Sequence, residues 1–166
     1  METTGPAEVI VLGATCMDVK AHPLAPEVPG SFNPARITVS AGGSARNISE
    51  NLALLGVRVT LLSVVGSDIL GQELVEKTAA SGVDVSRILR SRQFDSGVNV
   101  TVIGPDNLRT QALDDWSQIQ SASPAYIRKN RDLFQGARLL ILDGTADTET
   151  VADEVQVRFR IFVAGA

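Results

Sequence analysis

The sequence has 166 residues, of which 44% are hydrophobic and 20% are charged, and its formal charge at pH 7 is -4. This length suits one compact domain or a large piece of one, and the net negative charge gives no overall basic field that would gather nucleic acid. With one cysteine, Cys16, and one histidine, His22, thiols and imidazoles cannot assemble a zinc site.

The sequence shows no basic leader followed by a long apolar segment, and no apolar run reaches the ~18 residues that span a bilayer. We therefore expect a cytoplasmic protein with no nucleic-acid or membrane partner.

Strands and helices alternate along the first half of the chain. The continuous apolar run Val9–Gly13 is typical of a buried central strand, and four prolines predict a loop or lid-like excursion over residues 20–34. A strand over Arg36–Ser40 leads through the turn Ala41–Gly43 into a helix over Ser44–Leu55, which Gly56 ends. The apolar stripe of that helix, predicted to pack on a sheet, is Ala45, Ile48, Leu52 and Leu55.

The second half continues the alternation. Arg58–Val65 reads as a strand, and Ser67 or Asp68 can cap a helix that Gly82 stops. The later predicted elements are a hairpin of Val98–Ile103 with Arg109–Leu113, short helices over 124–133, a strand over Arg138–Leu142 and a half-buried strand over 155–163. This order predicts a mostly parallel sheet covered by helices.

The segment Ala-Gly-Gly-Ser-Ala-Arg-Asn, residues 41–47, is the most informative stretch. Gly42 and Gly43 stand before a helix, where backbone can approach a ligand, and Asn47 lies in the first helical turn. Alternatively, the glycines only make a tight turn and Asn47 satisfies nearby backbone. No Gly-Lys-Ser/Thr follows, and the third glycine of a dinucleotide fingerprint is missing, so neither phosphate-binding motif is present.

Further polar residues are candidates for binding. Asp18 follows the first predicted strand, where parallel sheets collect ligand-binding groups, although it can equally cap a turn or pair with Lys20. Ser31 and Asn33 lie in the proline-rich excursion and, taken singly, read as solvated loop residues. The pair Asp114-Asp115 reads as a solvated turn, because a metal would need further oxygen ligands.

Together these motifs resemble the PfkB or ribokinase-like family of small-molecule kinases. The stretch SAGGSARNISENLALLG resembles the family's first signature, and its Ala-Arg-Asn-Ile-Ser-Glu-Asn is similar to the pseudouridine kinase branch. Supporting matches in the same order are GATCMDVKAHP, SFNPARITVS, LLSVVGSDILGQELVEKTAASGVDVSRI and DSGVNVTVIGPD. The resemblance covers about residues 8–150.

The resemblance implies an α/β sandwich with a mostly parallel sheet, helices on both faces and a small β lid over about 20–40 and 96–113. A nucleoside or sugar would bind between sheet and lid. On this reading Asp18 and Asn47 hold ribose hydroxyls, Gly42 and Gly43 approach the sugar, and the base is read by Lys20, Ser31 and Asn33. Lids of this family often pair between subunits, which implies a homodimer.

The resemblance also implies transfer of the γ-phosphoryl group of ATP to the 5′-hydroxyl of pseudouridine, with Mg²⁺ neutralising phosphate charge. The family's catalytic Gly-Ala-Gly-Asp motif does not occur in these residues, so we assign no catalytic, cofactor-binding or metal-binding residue and expect a truncated, inactive chain that binds ATP and Mg²⁺ poorly. We assign 1–150 to the substrate-binding part and 151–166 to an atypical tail, of which truncation, splicing and a frameshift are alternative origins. The competing functions are a non-catalytic dimerisation module and a dinucleotide-binding domain.

Overall fold

The computed structural model describes residues 7–104, 106–145, 151 and 160–164. Ten strands lie within them: β1 (Val9–Leu12), β2 (Cys16–Pro23), β3 (Ala35–Gly42), β4 (Val59–Leu62), β5 (Val64–Gly66), β6 (Leu89–Ser91), β7 (Gly97–Ile103), β8 (Arg109–Asp115), β9 (Leu139–Asp143) and β10 (Arg160–Ala164). The helices in the same part of the chain are α1 (Ser44–Leu54), α2 (Ile69–Ala80), α3 (Pro124–Lys129), α4 (Arg131–Phe134) and a 3-10 helix (Ser117–Ser121).

A parallel sheet in the order β10-β9-β1-β4 forms the centre of the fold. Its core strand β1 is buried on both faces, as its unbroken apolar run predicts. Ile10 and Leu12 pack with residues of α3 and α4, whereas Val9 and Val11 pack with α1. The predicted α/β sandwich with helices on both faces is therefore confirmed.

The predicted helix ends are close to those observed. Helix α1 packs Ala45, Ile48 and Leu52 on the sheet, but Leu55 is 79% exposed, so its place in the buried stripe was wrong. Leu55 follows the last helical residue, where the chain turns towards Gly56. The cap of α2 is confirmed, because the Asp68 carboxylate accepts a hydrogen bond from the Gly71 amide at 2.7 Å.

A second sheet in the order β3-β2-β7-β8 forms the lid. Strands β2 and β3 are antiparallel, β2 and β7 parallel, and β7 and β8 antiparallel, so the predicted hairpin of β7 and β8 is confirmed. The prediction of a loop from residue 20 was wrong at its start. Residues 20–23 continue β2, because ladders to β3 and β7 hold them extended even without apolar alternation.

Three further boundaries differ from the sequence prediction. The strand predicted over Arg58–Val65 is divided at Ser63 into β4 of the central sheet and β5 of the small β5-β6 sheet. The Ser63 hydroxyl donates to the Gly13 carbonyl at 2.6 Å. Ala41 and Gly42, predicted to form a turn with Gly43, belong to β3, so that Gly43 alone makes the turn into α1. Asp114 and Asp115 end strand β8 rather than forming a turn, although both are exposed as expected.

The chain beyond 150 also contributes to the central sheet. Backbone pairing joins Arg160–Ala164 in parallel to β9. The remainder of the strand predicted over 155–163 lies outside the described residues, and the boundary at 150 stays a prediction.

Candidate substrate cleft

A cleft of about 680 Å³ lies where the lid sheet meets the start of α1. This volume is within the range of small-molecule binding sites, roughly 300–1,000 Å³. Four of the seven predicted binding residues line the cleft, namely Asp18, Lys20, Gly43 and Asn47. The fold thus brings together residues from β2 and α1 that are separated by as many as 29 positions in the chain.

Asp18 of β2 and Gly42 of β3 are close neighbours on two paired strands. Asp18 follows β1 as predicted, but it lies inside a further strand, β2, where it pairs with Ser40 of β3. A Cβ atom on residue 42 would stand 2.2 Å from Asp18 Oδ2, so glycine leaves the space that the carboxylate occupies. Gly42 therefore shapes the cleft by making room for Asp18.

The thiol of Cys16, two residues earlier in β2, forms a hydrogen bond with the same carboxylate. Cys16 Sγ donates to Asp18 Oδ1 at 3.6 Å. Burial, reinforced by the charge of Asp18, raises the pKa of Cys16 to about 12, so the thiol stays protonated and remains a donor. In the part of the chain that the structure describes, no group donates to Asp18 Oδ2, which leaves this oxygen as an acceptor for a ligand.

Gly43 makes the turn between lid and helix. Its φ of 98° is unfavourable for residues with a side chain, and an added Cβ would stand 2.4 Å from the Ala14 carbonyl oxygen. That carbonyl accepts a hydrogen bond from the Arg46 amide at 3.2 Å. The glycine is therefore required by close backbone packing at the start of α1, which brings the helix N-terminus to the cleft.

Asp143 fixes this junction and was not among the predicted site residues. Its buried carboxylate, at the end of β9, accepts from the Ala14 amide at 2.7 Å, the Ser44 hydroxyl at 2.7 Å and the Ala45 amide at 3.2 Å. Oδ1 accepts from the Thr145 amide at 2.9 Å and from its hydroxyl. Because Gly43 has no capping side chain, a distant carboxylate caps α1 instead. An aspartate ending an apolar strand was the available sequence signal.

Asn47 projects from the first turns of α1 into the cleft. Its side-chain oxygen accepts from Arg46 Nη1 at 3.1 Å, whereas its Nδ2 makes no hydrogen bond with any described residue. Asn47 and Asp18 thus present a free donor and a free acceptor to the same space.

The wall of the cleft that faces Asn47 belongs to the lid sheet, which also carries Asp18. Lys20, Asn99 and Thr101 line it, and Asn99 lies beside Asp18 in the register of β2 and β7. Thr101 Oγ1 donates to Asn99 Oδ1 at 2.8 Å, and Asn99 Nδ2 donates to Asp114 Oδ1. Sequence reasoning missed Asn99 and Thr101, because only the register of β2 and β7 places them beside Asp18 and Lys20.

Ser31 and Asn33 lie elsewhere. Neither lines the cleft, and the exposed Asn33 side chain holds its own loop together. Asn33 Oδ1 accepts from the Val28 amide at 2.8 Å, and its Nδ2 donates to the Val28 and Ser31 carbonyls at 3.2 Å. A part in reading a base would require this loop to move, and stays a prediction for both residues.

Gln118 is a buried polar residue at the base of the lid. It is 1% exposed, and neither end of its amide has a hydrogen-bond partner among the described residues. Its Nε2 lies 2.2 Å from the place where a Cβ on Gly97 would stand, and Gly97 pairs with the cleft residue Cys16. Gly97 therefore makes room for the Gln118 amide just beside the cleft.

The described residues contain neither a metal-binding cluster nor a membrane-spanning helix. No group of three or more His, Cys, Asp or Glu side chains there is arranged to hold a metal ion. No helix in the same residues has the length and apolar character needed to cross a membrane.

Known sequences place these features in a family. The family model described as pfkB family carbohydrate kinase matches residues 6–160. An uncharacterised sugar kinase of Escherichia coli, YeiI, is 32% identical over 89% of this chain and 42% of its own length. The Pseudouridine kinase of Escherichia coli is 29% identical over 87% of this chain and 46% of its own length. The chain thus spans about half the length of the curated relatives it matches.

Solved structures show the same fold. Ribokinase from Giardia lamblia superposes with a TM-score of 0.79 at 13% identity, over 98% of this chain and 51% of the other. Adenosine kinase from Anopheles gambiae superposes with a TM-score of 0.78 at 19% identity, over 96% of this chain and 59% of the other. With the family model matching nearly the whole sequence, this chain belongs to the PfkB family of carbohydrate kinases.

Proposed function

We propose that these residues form the ribonucleoside site of a PfkB kinase, and that pseudouridine is the nucleoside it holds. The observation that carries the proposal is the convergence of the Asp18 carboxylate, the Asn47 amide and the Gly43 backbone on one cleft of about 680 Å³. A carboxylate and an amide together match the donor and acceptor sides of sugar hydroxyls. The similarity to the Pseudouridine kinase of Escherichia coli supports the choice of nucleoside.

In the proposed reaction, the 5′-hydroxyl oxygen forms a bond to the γ-phosphorus of ATP. The bond between that phosphorus and the bridging oxygen breaks, ADP leaves, and a general base takes the hydroxyl proton. PfkB kinases use ATP, and Mg²⁺ is usual in the family. The Gly-Ala-Gly-Asp motif that the resemblance assigns to this step does not occur in the 166 residues. We therefore propose that these residues alone bind the nucleoside without phosphorylating it.

Isothermal titration of the purified chain with pseudouridine, uridine, adenosine, ribose and NAD tests the site. Pseudouridine should bind, and NAD should not. Asp18→Ala and Asn47→Ala should each weaken binding by about tenfold or more, because each removes a group that contacts the ligand. Asn51→Ala is the matched control one turn further along α1, outside the cleft. Unchanged affinity in both site variants, or preferred binding of NAD, would contradict the proposal.

Phosphoryl transfer needs a separate assay. The chain is incubated with ATP, Mg²⁺ and pseudouridine, and pseudouridine 5′-phosphate is measured. We expect none above background, and steady turnover would show that the residues present suffice for catalysis.

A second proposed function is dimerisation with another copy through the lid. Side chains alternate across a strand, so the lid face opposite Asp18 and Lys20 presents four apolar residues in register across four strands: Val39, Val19, Val100 and Leu113. Val39 is 57% and Leu113 65% exposed. A single twofold axis can bury both copies of this face against each other. β3 is also an edge strand, and an exposed edge is a site where another chain can pair.

Light scattering after size exclusion tests this second function. We expect twice the monomer mass of 17.6 kDa. Val39→Glu should give the monomer, because it places a charge on the apolar face. Thr38→Glu, on the opposite face of the same strand, should remain dimeric. A monomeric wild-type chain at all concentrations would contradict dimerisation without affecting the nucleoside site.

A further inference from the structure

Arg46 is a buried cation directly beside the proposed nucleoside site. The residue is 6% exposed, although a guanidinium group is costly to bury unless it is paired. Glu50 pairs with it through two hydrogen bonds, from Nη1 at 2.6 Å and from Nη2 at 2.7 Å. Nε donates to Thr78 Oγ1 at 3.3 Å, which ties α1 to α2. The guanidinium is thus held on two sides and has a defined orientation.

The remaining contact of Arg46 reaches into the cleft. Nη1 carries a second donor, which the Asn47 side-chain oxygen accepts at 3.1 Å. An amide side chain has one accepting and one donating end, and a guanidinium can only donate. Oδ1 of Asn47 must therefore face Arg46, and Nδ2 must face away from it. That NH₂ group has no partner among the described residues.

We infer that Arg46 is a positioning residue that fixes Asn47 as a hydrogen-bond donor and thereby makes the site select a hydroxyl group. The inference rests on the proposed function, because it assigns Asn47 to the ligand. A hydroxyl oxygen accepts from Asn47 Nδ2, and its hydrogen is donated to Asp18 Oδ2. A carbonyl or ether oxygen satisfies only Asn47, and a protonated ammonium group satisfies only Asp18. The arrangement therefore matches a hydroxyl group, such as a ribose hydroxyl of the proposed nucleoside.

Lysine cannot replace this arrangement. Its single ammonium group lacks the planar fork that engages Glu50 with two bonds and still donates to Asn47 and Thr78. We expect Arg46→Lys to keep a cation beside Glu50 while releasing the Asn47 amide, which can then rotate. The variant separates orientation of Asn47 from neutralisation of Glu50.

A thermodynamic cycle with pseudouridine as titrant tests the inference. Arg46→Lys should weaken binding about tenfold in the wild-type background and leave the residual affinity unchanged in the Asn47→Ala background, because the effect passes through Asn47. Thr78→Val is the control for disturbed packing around Arg46. It should lower the denaturation temperature while leaving affinity within about twofold. Equal losses from Arg46→Lys in both backgrounds would overturn the inference.

Nuclear magnetic resonance supplies a measurement that needs no ligand. Relaxation of the side-chain NH₂ of Asn47 should give an order parameter above about 0.6 in the free wild-type chain, and a value below about 0.6 would overturn the inference. In Arg46→Lys this order parameter should fall, while that of the Asn51 NH₂, which donates to the backbone carbonyl of Asn47 at 2.9 Å, stays unchanged. An ordered Asn47 amide in a chain that binds no nucleoside would reject the proposed function and retain the hold of Arg46 on Asn47.

Discussion

Replacing Gly42 with alanine tests the cleft by moving one carboxylate. The new Cβ would stand 2.2 Å from Oδ2 and 2.5 Å from Cγ of Asp18, so the carboxylate must leave its position. The backbone of residue 42 is ordinary strand, which alanine tolerates. The carboxylate is the end of a half-buried side chain and can rotate away, so we expect a loss of stability of about 1 kcal/mol, at the lower end of the usual cost of added volume. Loss of a charged hydrogen bond to the ligand should cost about 1.5–3 kcal/mol of binding, or roughly 10- to 150-fold.

Gly43 and Gly56 provide matched controls. Gly43→Ala places a Cβ 2.4 Å from the Ala14 carbonyl oxygen, at a backbone φ of 98°. The contact is with backbone, which cannot rotate away as a side chain can, and the φ angle is fixed by the turn. The substitution should cost more than about 3 kcal/mol of unfolding free energy from clash and strain together. Gly56→Ala meets no atom within 4 Å at a φ of 84°, so only the conformational cost of about 1–2 kcal/mol remains and binding should be unchanged.

Urea denaturation gives the stabilities of the three variants, and titration calorimetry gives their affinities for pseudouridine. Only Gly42→Ala should combine a near-native stability with weak binding. If it folds normally and binds as tightly as the wild type, Asp18 does not hold the ligand and the reasoning fails.

Three further predictions concern buried or bonded polar groups. Asp143→Ala leaves the hydrogen-bond donors of Ala14, Ser44 and Ala45 without an acceptor, and it should lower the unfolding free energy in urea by at least about 3 kcal/mol. A loss below about 1 kcal/mol would show that other contacts hold the junction. Burial alone would raise the pKa of Asp68, but hydrogen bonds from Ser96 and the Gly71 amide outweigh it and lower the pKa. The stabilisation from Asp68 is therefore complete above its unfolded pKa of about 3.9 and is lost as the pH falls through the lower folded value. The difference in unfolding free energy between the wild type and Asp68→Asn should shrink from pH 6 to pH 2, and a difference independent of pH would contradict this. Gln118→Met removes an unpartnered buried amide at similar volume and should leave stability unchanged or raise it by about 1–2 kcal/mol; a clear loss would reveal a partner for the amide.

The sequence predicted elements whose signals are local. The unbroken apolar run of β1, the glycine that ends α1 and the aspartate cap of α2 each act within a few residues, and each is found in the structure. The same holds for the hairpin of β7 and β8. Family motifs in order supplied the overall sandwich, which single elements do not define.

What was missed depends on contacts between distant parts of the chain. Residues 20–23 lack a strand pattern and are extended because neighbouring strands pair with them. Asp143 reaches α1 from 98 or more positions away, so no local pattern shows that it caps that helix. Asn99 enters the cleft through the register of β2 and β7. Asn33 was singled out by resemblance, whereas its geometry serves its own loop.

A crystal structure of the chain, soaked or grown with pseudouridine, would show whether the cleft between the lid and α1 holds the nucleoside. The ligand should lie between the lid and α1, with ribose hydroxyl oxygens within about 3.2 Å of both Asp18 Oδ2 and Asn47 Nδ2. A nucleoside bound elsewhere, or one in this cleft whose hydroxyls contact neither side chain, would contradict the proposed site.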